Sequence, residues 1–412
     1  MPLDLKKVIS QLKSLEKQET KDLNQQRLDS TYKVFQIACE NKEKLIKRLE
    51  ETKSTSGANF FFGSPFFEEN SNVSLNALIK CDADFQTPHI TIATDGSQIN
   101  PSAHELTSAS LINIGLVGIP YFERNISVLL SSEPTIYNSV EDVNPALSSE
   151  SVPDEDLISY ERTLKELEEL VKLAEKYKSY NIPVVALLDG TLIHWHIEKF
   201  SSVFIKHFID RFSTAISKLK ALNIPVGSFL SNSRSNDLIN MLKIFKCPYD
   251  FVDCKKHCSN LDTRNLPCNP SLDYKPVYDR RLIEKLFVDK KAETGTRTIL
   301  FKSNSKILNY YPEDLKVFFF YINAGTEIAR VEFPAYVAKE KKMLDLLHNA
   351  VTLQCKAGFG YPVTLSEAHL QAVVKRQDRE IFYDLIREEL LKTKNVQVRL
   401  SSKELRKRVS FV

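Results

Sequence analysis

Two runs of β-branched and aliphatic residues, ITIATDGSQ at 90–98 and VVALLDGTL at 184–192, reach the same unit: an aspartate, a glycine and a hydroxyl residue. Short apolar runs closed by a turn signal read as strands buried on both faces, and such strands need helices to cover them. The chain supplies the helices. DEDLISYERTLKELEELVKLAEKYKSY at 154–180 has apolar residues at helical spacing, and further helical stretches fall at 195–222, 235–245, 340–356 and 364–392. Strands are expected at 89–95, 108–121, 124–132, 184–189, 224–231, 296–302, 316–325 and 327–338, the second and third close enough for a hairpin. The middle of the chain therefore reads β-β-β-α-β-α-β-α, which predicts an α/β fold: a mixed sheet flanked by helices.

A chain of 412 residues, 42% hydrophobic and 26% charged, can bury a large core, and its 11 glycines are too few for a collagenous or linker-rich protein. A net charge of +3 means that any nucleic-acid surface must come from local clustering. No apolar run has membrane-spanning length, and the opening residues lack the apolar core of a secretory signal. With an odd count of seven cysteines, the expectation is a cytoplasmic protein in a reducing compartment, with no membrane attachment. Residues 1–53 carry Val8, Ile9, Leu12 and Leu15, then Phe35, Ile37, Leu45 and Leu49, at helical spacing. They are expected to form an N-terminal helical segment serving a dimer or partner interface. The body is expected at 54–392 with a cysteine-containing insert at 247–295, and a basic tail at 393–412.

Asp95 and Asp189 stand where the two apolar runs are expected to leave the sheet, the usual ligand edge of an α/β fold. Asp-Gly is also an ordinary turn dipeptide, but two such units after buried strands point to convergence. Two carboxylates at a few ångströms repel unless a cation lies between them, and an all-oxygen set suits Mg²⁺ or Mn²⁺. Ser97 and Thr191 could bind phosphate oxygens or simply cap the following turn. A third carboxylate is expected from helix 154–180. Glu166, between the buried-face residues Leu164 and Leu167, is the first choice and Glu161 the reserve, against the plain alternative of a solvated charged face. In GFGYPVTLSEAHLQAVV at 358–374, a Gly-Tyr-Pro turn precedes a helix, so Tyr361 and His369 could project over the same sheet edge, although a lone helix histidine is more often structural.

The order of elements is that of ribonuclease-H-like domains. Taken together, DGSQ at 95–98, RTLKELEEL at 162–170, LLDGTLI at 187–193, SNSRS at 231–235, EIARVEFPAYVA at 327–338 and GYPVTLSEAH at 360–369 resemble the NurA nucleases of double-strand-break repair, over about residues 60–390. The resemblance implies a ribonuclease-H-like homodimer with manganese-dependent activity on single- and double-stranded DNA. It implies 5′-to-3′ exonuclease and single-strand endonuclease action, partnered by a HerA-type hexameric translocase. By the same resemblance Asp95, Asp189 and Glu166 are expected as the metal-binding carboxylates, and Tyr361 and His369 as the terminal active-site pair, with His369 also expected among the metal residues. The chain has no G-x-x-x-x-G-K-[ST] phosphate loop, which fits a nuclease that borrows an external motor.

Arg234, Arg297, Lys302, Lys306 and Arg330 are expected near strand ends or loops, where they could meet phosphates or be ordinary surface cations. The tail cations Lys403, Arg406, Lys407 and Arg408 could touch DNA or a partner ring. Cys247, Cys254, Cys258 and Cys268, with His257 beside them, invite a structural Zn²⁺, though the gaps are irregular and buried free thiols are the plainer reading. Two rival functions share the fold: an actin- or sugar-kinase-like phosphotransferase, which needs two cores and glycine-rich turns, and a catalytically silent DNA-binding scaffold.

Overall fold

The computed structural model describes residues 4–15, 19–67, 73–101, 109–139, 142–144, 147, 152–261, 266–268 and 277–393. The tail cations expected to touch DNA lie outside these residues. The strands are β1 (Gly63–Phe66), β2 (Leu78–Ile79), β3 (His89–Ile99), β4 (Ser110–Tyr121), β5 (Leu129–Tyr137), β6 (Val184–Asp189), β7 (Val226–Leu230), β8 (Arg297–Thr298), β9 (Leu300–Ser303), β10 (Val317–Asn323) and β11 (Ile328–Pro334). The helices are α1 (Leu5–Leu15), α2 (Glu19–Glu40), α3 (Lys42–Thr55), α4 (Asp154–Lys178), α5 (Ser202–Ala221), α6 (Asp237–Lys246), α7 (Cys254–Cys258), α8 (Asp279–Asp289), α9 (Ala335–Lys339), α10 (Lys341–Ala357), α11 (Val363–Ala372) and α12 (Arg376–Thr393).

All strands join one mixed sheet whose main path is β1-β9-β10-β11-β7-β6-β3-β4-β5. Strands β3, β4 and β5 form an antiparallel meander, β6 runs parallel to β3, and β7 runs parallel to β6. Beyond β7 the neighbours β11, β10, β9 and β1 alternate in direction. Because side chains alternate along a strand, β3 shows which helix covers which face. Thr94 donates to the Glu166 carbonyl of α4 at 2.8 Å. Ser97, on the other face, donates to the Ala372 carbonyl of α11 at 2.5 Å. One apolar core joins this half of the sheet to α4, α5, α10 and α11. A second lies between β9 and β10 and the helices α2, α3, α6 and α8.

Several expected boundaries move, each for a visible reason. Strand β3 does not stop at Asp95: its ladder with β4 continues through Asp95↔Gly115 and Ser97↔Asn113 to Ile99↔Leu111. Strand β5 begins at Leu129, opposite Gly118, because residues 124–128 serve as the connection. Helix 195–222 divides at Ser201, whose hydroxyl accepts from Phe204 N at 3.1 Å and caps α5. Helix 364–392 divides after Ala372, whose carbonyl is taken by Ser97 and by Asn113 at 2.8 Å. Helix α8, inside the expected insert, buries Leu282, Ile283, Leu286 and Phe287 and is part of the second core. Helices α2 and α3 likewise bury Phe35, Leu45 and Leu49 there, whereas Leu5, Ile9 and Leu12 of α1 are exposed.

Arg330 overturns its expected role. It is 1% exposed and lies inside the protein, not on a DNA-facing surface. Its Nη1 donates to Asp237 Oδ2 at 2.7 Å, its Nε donates to Glu332 Oε1 at 2.8 Å, and its guanidinium stacks 3.6 Å above the Phe319 ring. Two buried carboxylates share this one cation, and their charges hold it well above the ordinary arginine range despite burial. Asp279, against the same network, accepts from Leu238 N and Ile239 N at the start of α6 and from the Tyr321 hydroxyl. Arg330→Leu should therefore lower stability by about 3–5 kcal/mol, since it leaves buried charges unpaired. Urea denaturation measures this, and an unchanged midpoint would contradict the assignment.

Candidate active site

Parallel pairing fixes the two aspartates. The β3–β6 register runs from Ile90↔Val184 to Ala93↔Leu187. Continued by two residues, it sets Asp95 level with Asp189 on neighbouring strands, whose usual spacing is about 4.8 Å. The two glycines that follow have different jobs. Gly96 is within the strand and faces α4, where a Cβ would strike Glu166 Oε1 and the Arg162 side chain. Gly190 makes a true turn at φ +87°, and its N–H donates to Asp189 Oδ1 at 2.9 Å.

Glu166 reaches this edge from α4. Its Oε1 is buried without a hydrogen-bond partner. Arg162 Nη1 stands 3.7 Å from that oxygen and donates to the Gly96 carbonyl at 2.6 Å. Burial pushes the Glu166 carboxyl up to about 7, with Arg162 opposing and the charges of Asp95 and Asp189 adding to the shift. Asp189 is also raised, first by burial and then by Asp95, while the Gly190 N–H and the Tyr361 hydroxyl hold it down. Burial and the Asp189 charge raise the Tyr361 phenol, so it remains a proton donor. The Tyr361 ring meets Phe229 edge-on with centroids 5.5 Å apart. His369, exposed on α11, places Nδ1 2.8 Å from Asp95 Oδ2, which leaves Nε2 for another partner. Asp95, Asp189, Tyr361 and His369 are thus brought together, and Glu166 lies within electrostatic reach of both aspartates from the α4 side.

Other expected residues are engaged elsewhere. Glu161 is held by Arg211 through both oxygens, at 2.6 and 3.0 Å. Ser97 ties down the end of α11, so it is not free for phosphate. The Thr191 hydroxyl donates to Glu332 Oε2 at 2.8 Å and accepts from Ile193 N at 3.0 Å, which makes it a turn cap. Arg297 is buried over the Phe320 ring and donates to the Thr298 carbonyl, so it meets no phosphate. Lys302 is half-buried on β9, four strands from β6 along the sheet, and is not brought to the site. Lys306 follows that strand on the same far half. Arg234 is exposed in the loop after β7, on the same edge as Asp189.

Two residues of the site were not singled out from the sequence. Glu332 also accepts from Leu192 N at 2.8 Å, so this buried carboxylate fastens the whole Asp189-Gly190-Thr191 turn to Arg330. A glutamate between Val331 and Phe333 in an otherwise apolar strand was the available signal. Arg162 was visible as the i−4 neighbour of Glu166.

Among the described residues, no three His, Cys, Asp or Glu side chains stand at the distances of a formed metal site. The carboxylate set nevertheless fits a hard divalent cation, because the buried Glu166 Oε1 accepts no hydrogen bond and has only Arg162 at 3.7 Å, while Asp95 and Asp189 raise its proton affinity. The four cysteines expected to bind zinc are free and line one cavity beside Lys243. No described helix is long and apolar enough to cross a membrane.

A mixed sheet that delivers carboxylates, a phenol and an imidazole to the carboxyl edge of parallel strands defines a site suited to phosphoryl chemistry. A family model for the NurA domain matches residues 89–374, most of the chain and every residue of the cluster. The chain belongs to the NurA family, a family of DNA-repair nucleases, and membership supports a nuclease role. No curated protein matches the chain.

The raised Glu166 carboxyl has a stability consequence with a definite sign. Its proton is held more tightly in the folded chain, so the folded state loses stability as pH rises from about 4.5 through about 7. In metal-free protein, Glu166→Gln should be more stable than wild type at pH 8 by on the order of a few kcal/mol, and the advantage should vanish near pH 4.5. Chemical denaturation at the two pH values checks this.

Proposed function

We propose that this chain is a metal-dependent deoxyribonuclease on a ribonuclease-H-like core, hydrolysing phosphodiester bonds at the Asp95–Asp189 edge. The observation that carries the reading is the placing of Asp95 beside His369, with burial and the Asp95 charge raising Asp189, and burial and both aspartate charges raising Glu166. Support for the core is the strand order β5-β4-β3-β6-β7, with β4 antiparallel to its neighbours and β3, β6 and β7 parallel. The described residues contain one such unit, while a sugar-kinase-like phosphotransferase needs two.

Asp95, Glu166 and Asp189 would hold the divalent ion, Mn²⁺ or Mg²⁺, which when bound supplies charge neutralisation and Lewis acidity at the phosphodiester. Within the chain, the Tyr361 hydroxyl keeps its proton and turns it toward Asp189, favouring that carboxylate in its charged form. Asp95 fixes the His369 ring through Nδ1, and in this reading the imidazole would deliver a proton to the leaving 3′ oxygen. Glu332 and Arg330 hold the turn that carries Asp189.

The finer reading follows the family: 5′-to-3′ exonuclease and single-strand endonuclease action in end resection, with a HerA-type hexameric translocase. A homodimer is supported by apolar side chains left on the edge strand β5, where Leu130 and Ile136 are exposed, and on α1. For structural zinc, the cysteine cavity is the candidate place, and zinc content of the purified protein tests it.

End-labelled single- and double-stranded DNA, incubated with Mn²⁺, with Mg²⁺ or with EDTA, tests the main claim. Cleavage should need the divalent ion and fall to background in Asp95→Asn and in Asp189→Asn. His369→Ala should slow it by about 10²-fold or more. Full activity in either aspartate variant would remove the reading.

A further inference from the structure

Phe359 is 90% exposed, and no other large apolar side chain among the described residues exceeds 69%. It is also a bulky residue at φ +53°, in the left-handed region that favours glycine. A phenylalanine left in water in an unfavourable backbone conformation needs a reason, and such strain gathers at functional sites. The turn is held firmly: Gly360 N donates to the Cys355 carbonyl at 2.8 Å, and the Thr326 hydroxyl donates to the Phe359 carbonyl at 3.0 Å.

These contacts connect Phe359 to the site on two sides. Thr326 and Glu327 form the tip between β10 and β11, and Glu327 accepts from the Ser231 hydroxyl at 3.0 Å and from Asn232 N at 2.9 Å. That fastens the tip to the loop carrying exposed Arg234. Two residues after Phe359, the Tyr361 hydroxyl lies close enough to Asp189 to favour its charged form. Lys356, also exposed, lies just before the turn. An aromatic face and two cations therefore border the Asp189 end of the cluster.

We propose that Phe359 is a positioning residue that stacks on an unpaired base of the DNA strand, while Arg234 and Lys356 hold flanking phosphates. The proposal rests on the nuclease reading. Aromatic stacking is tolerant of sequence and needs a base whose face is open, so it selects a single-stranded or frayed segment over a closed duplex. One projecting ring is too small to be an interface with a second copy, which needs roughly 800 Å² per partner.

The test is fluorescence anisotropy of a labelled single strand and of the same strand with abasic positions, in EDTA so that binding is read apart from cleavage. Phe359→Asn suits the left-handed turn and should fold as wild type does. It should bind the normal strand ~10-fold more weakly, and Phe359→Trp should bind as wild type does. The abasic strand should be bound equally by all three proteins. Equal binding of the normal strand by wild type and Phe359→Asn, no binding by wild type, or a loss of the same size on the abasic strand would overturn the proposal. So would dissociation of an oligomer in Phe359→Asn, seen by light scattering. If wild type binds strands as expected but cleaves none with any divalent ion, the nuclease reading fails while the stacking result stands.

Discussion

The parallel pairing of β3 with β6 is the constraint on which the rest of this structure depends. It puts two aspartates level on adjacent strands, and the helix between them in sequence brings a glutamate to the same edge. Burial and neighbouring aspartate charge disfavour the ionised forms of Glu166 and Asp189 there, which folding alone would not select. Their cost is offset by cores on both faces of the sheet, large enough to hold a locally unfavourable arrangement in place.

The site is braced from behind by a second set of charges. Arg330 joins Glu332 to Asp237, and Glu332 holds the turn bearing Asp189. The same arginine therefore links the second core, under β9 and β10, to the geometry of the Asp189 edge. Ser97 and Asn113 do comparable work on the other side, ending α11 where His369 can meet Asp95. Polar groups that look like ligand contacts in the sequence are here the fastenings of the ligand-facing groups.

Much of this was legible in the sequence, and the remainder fails for physical reasons. The strands, the main helices and the convergence of Asp95, Glu166, Asp189, Tyr361 and His369 follow from apolar periodicity and recurring turn residues. The shared Asp-Gly unit misled in one respect: at 95–97 it continues a strand, because α4 crosses close above Gly96, whereas at 189–191 it makes a turn. Cations were the least legible. Arg234 and Arg330 look alike in sequence, yet one is exposed and the other sealed between two carboxylates that were distant in the chain. Burial of a charge depends on its tertiary partners, which spacing does not reveal. Helix α8 was missed because it follows an irregular cysteine-bearing stretch.

The most direct measurement of the central claim is calorimetric titration of the metal-free protein with Mn²⁺ at pH 6, repeated in buffers of different ionisation enthalpy. With its carboxyl raised to about 7, Glu166 is largely protonated at this pH and must release that proton on binding. The account predicts saturable binding coupled to release of close to one proton, with both lost in Asp189→Asn. Binding with no proton release, or binding undiminished in Asp189→Asn, would contradict a shared carboxylate site.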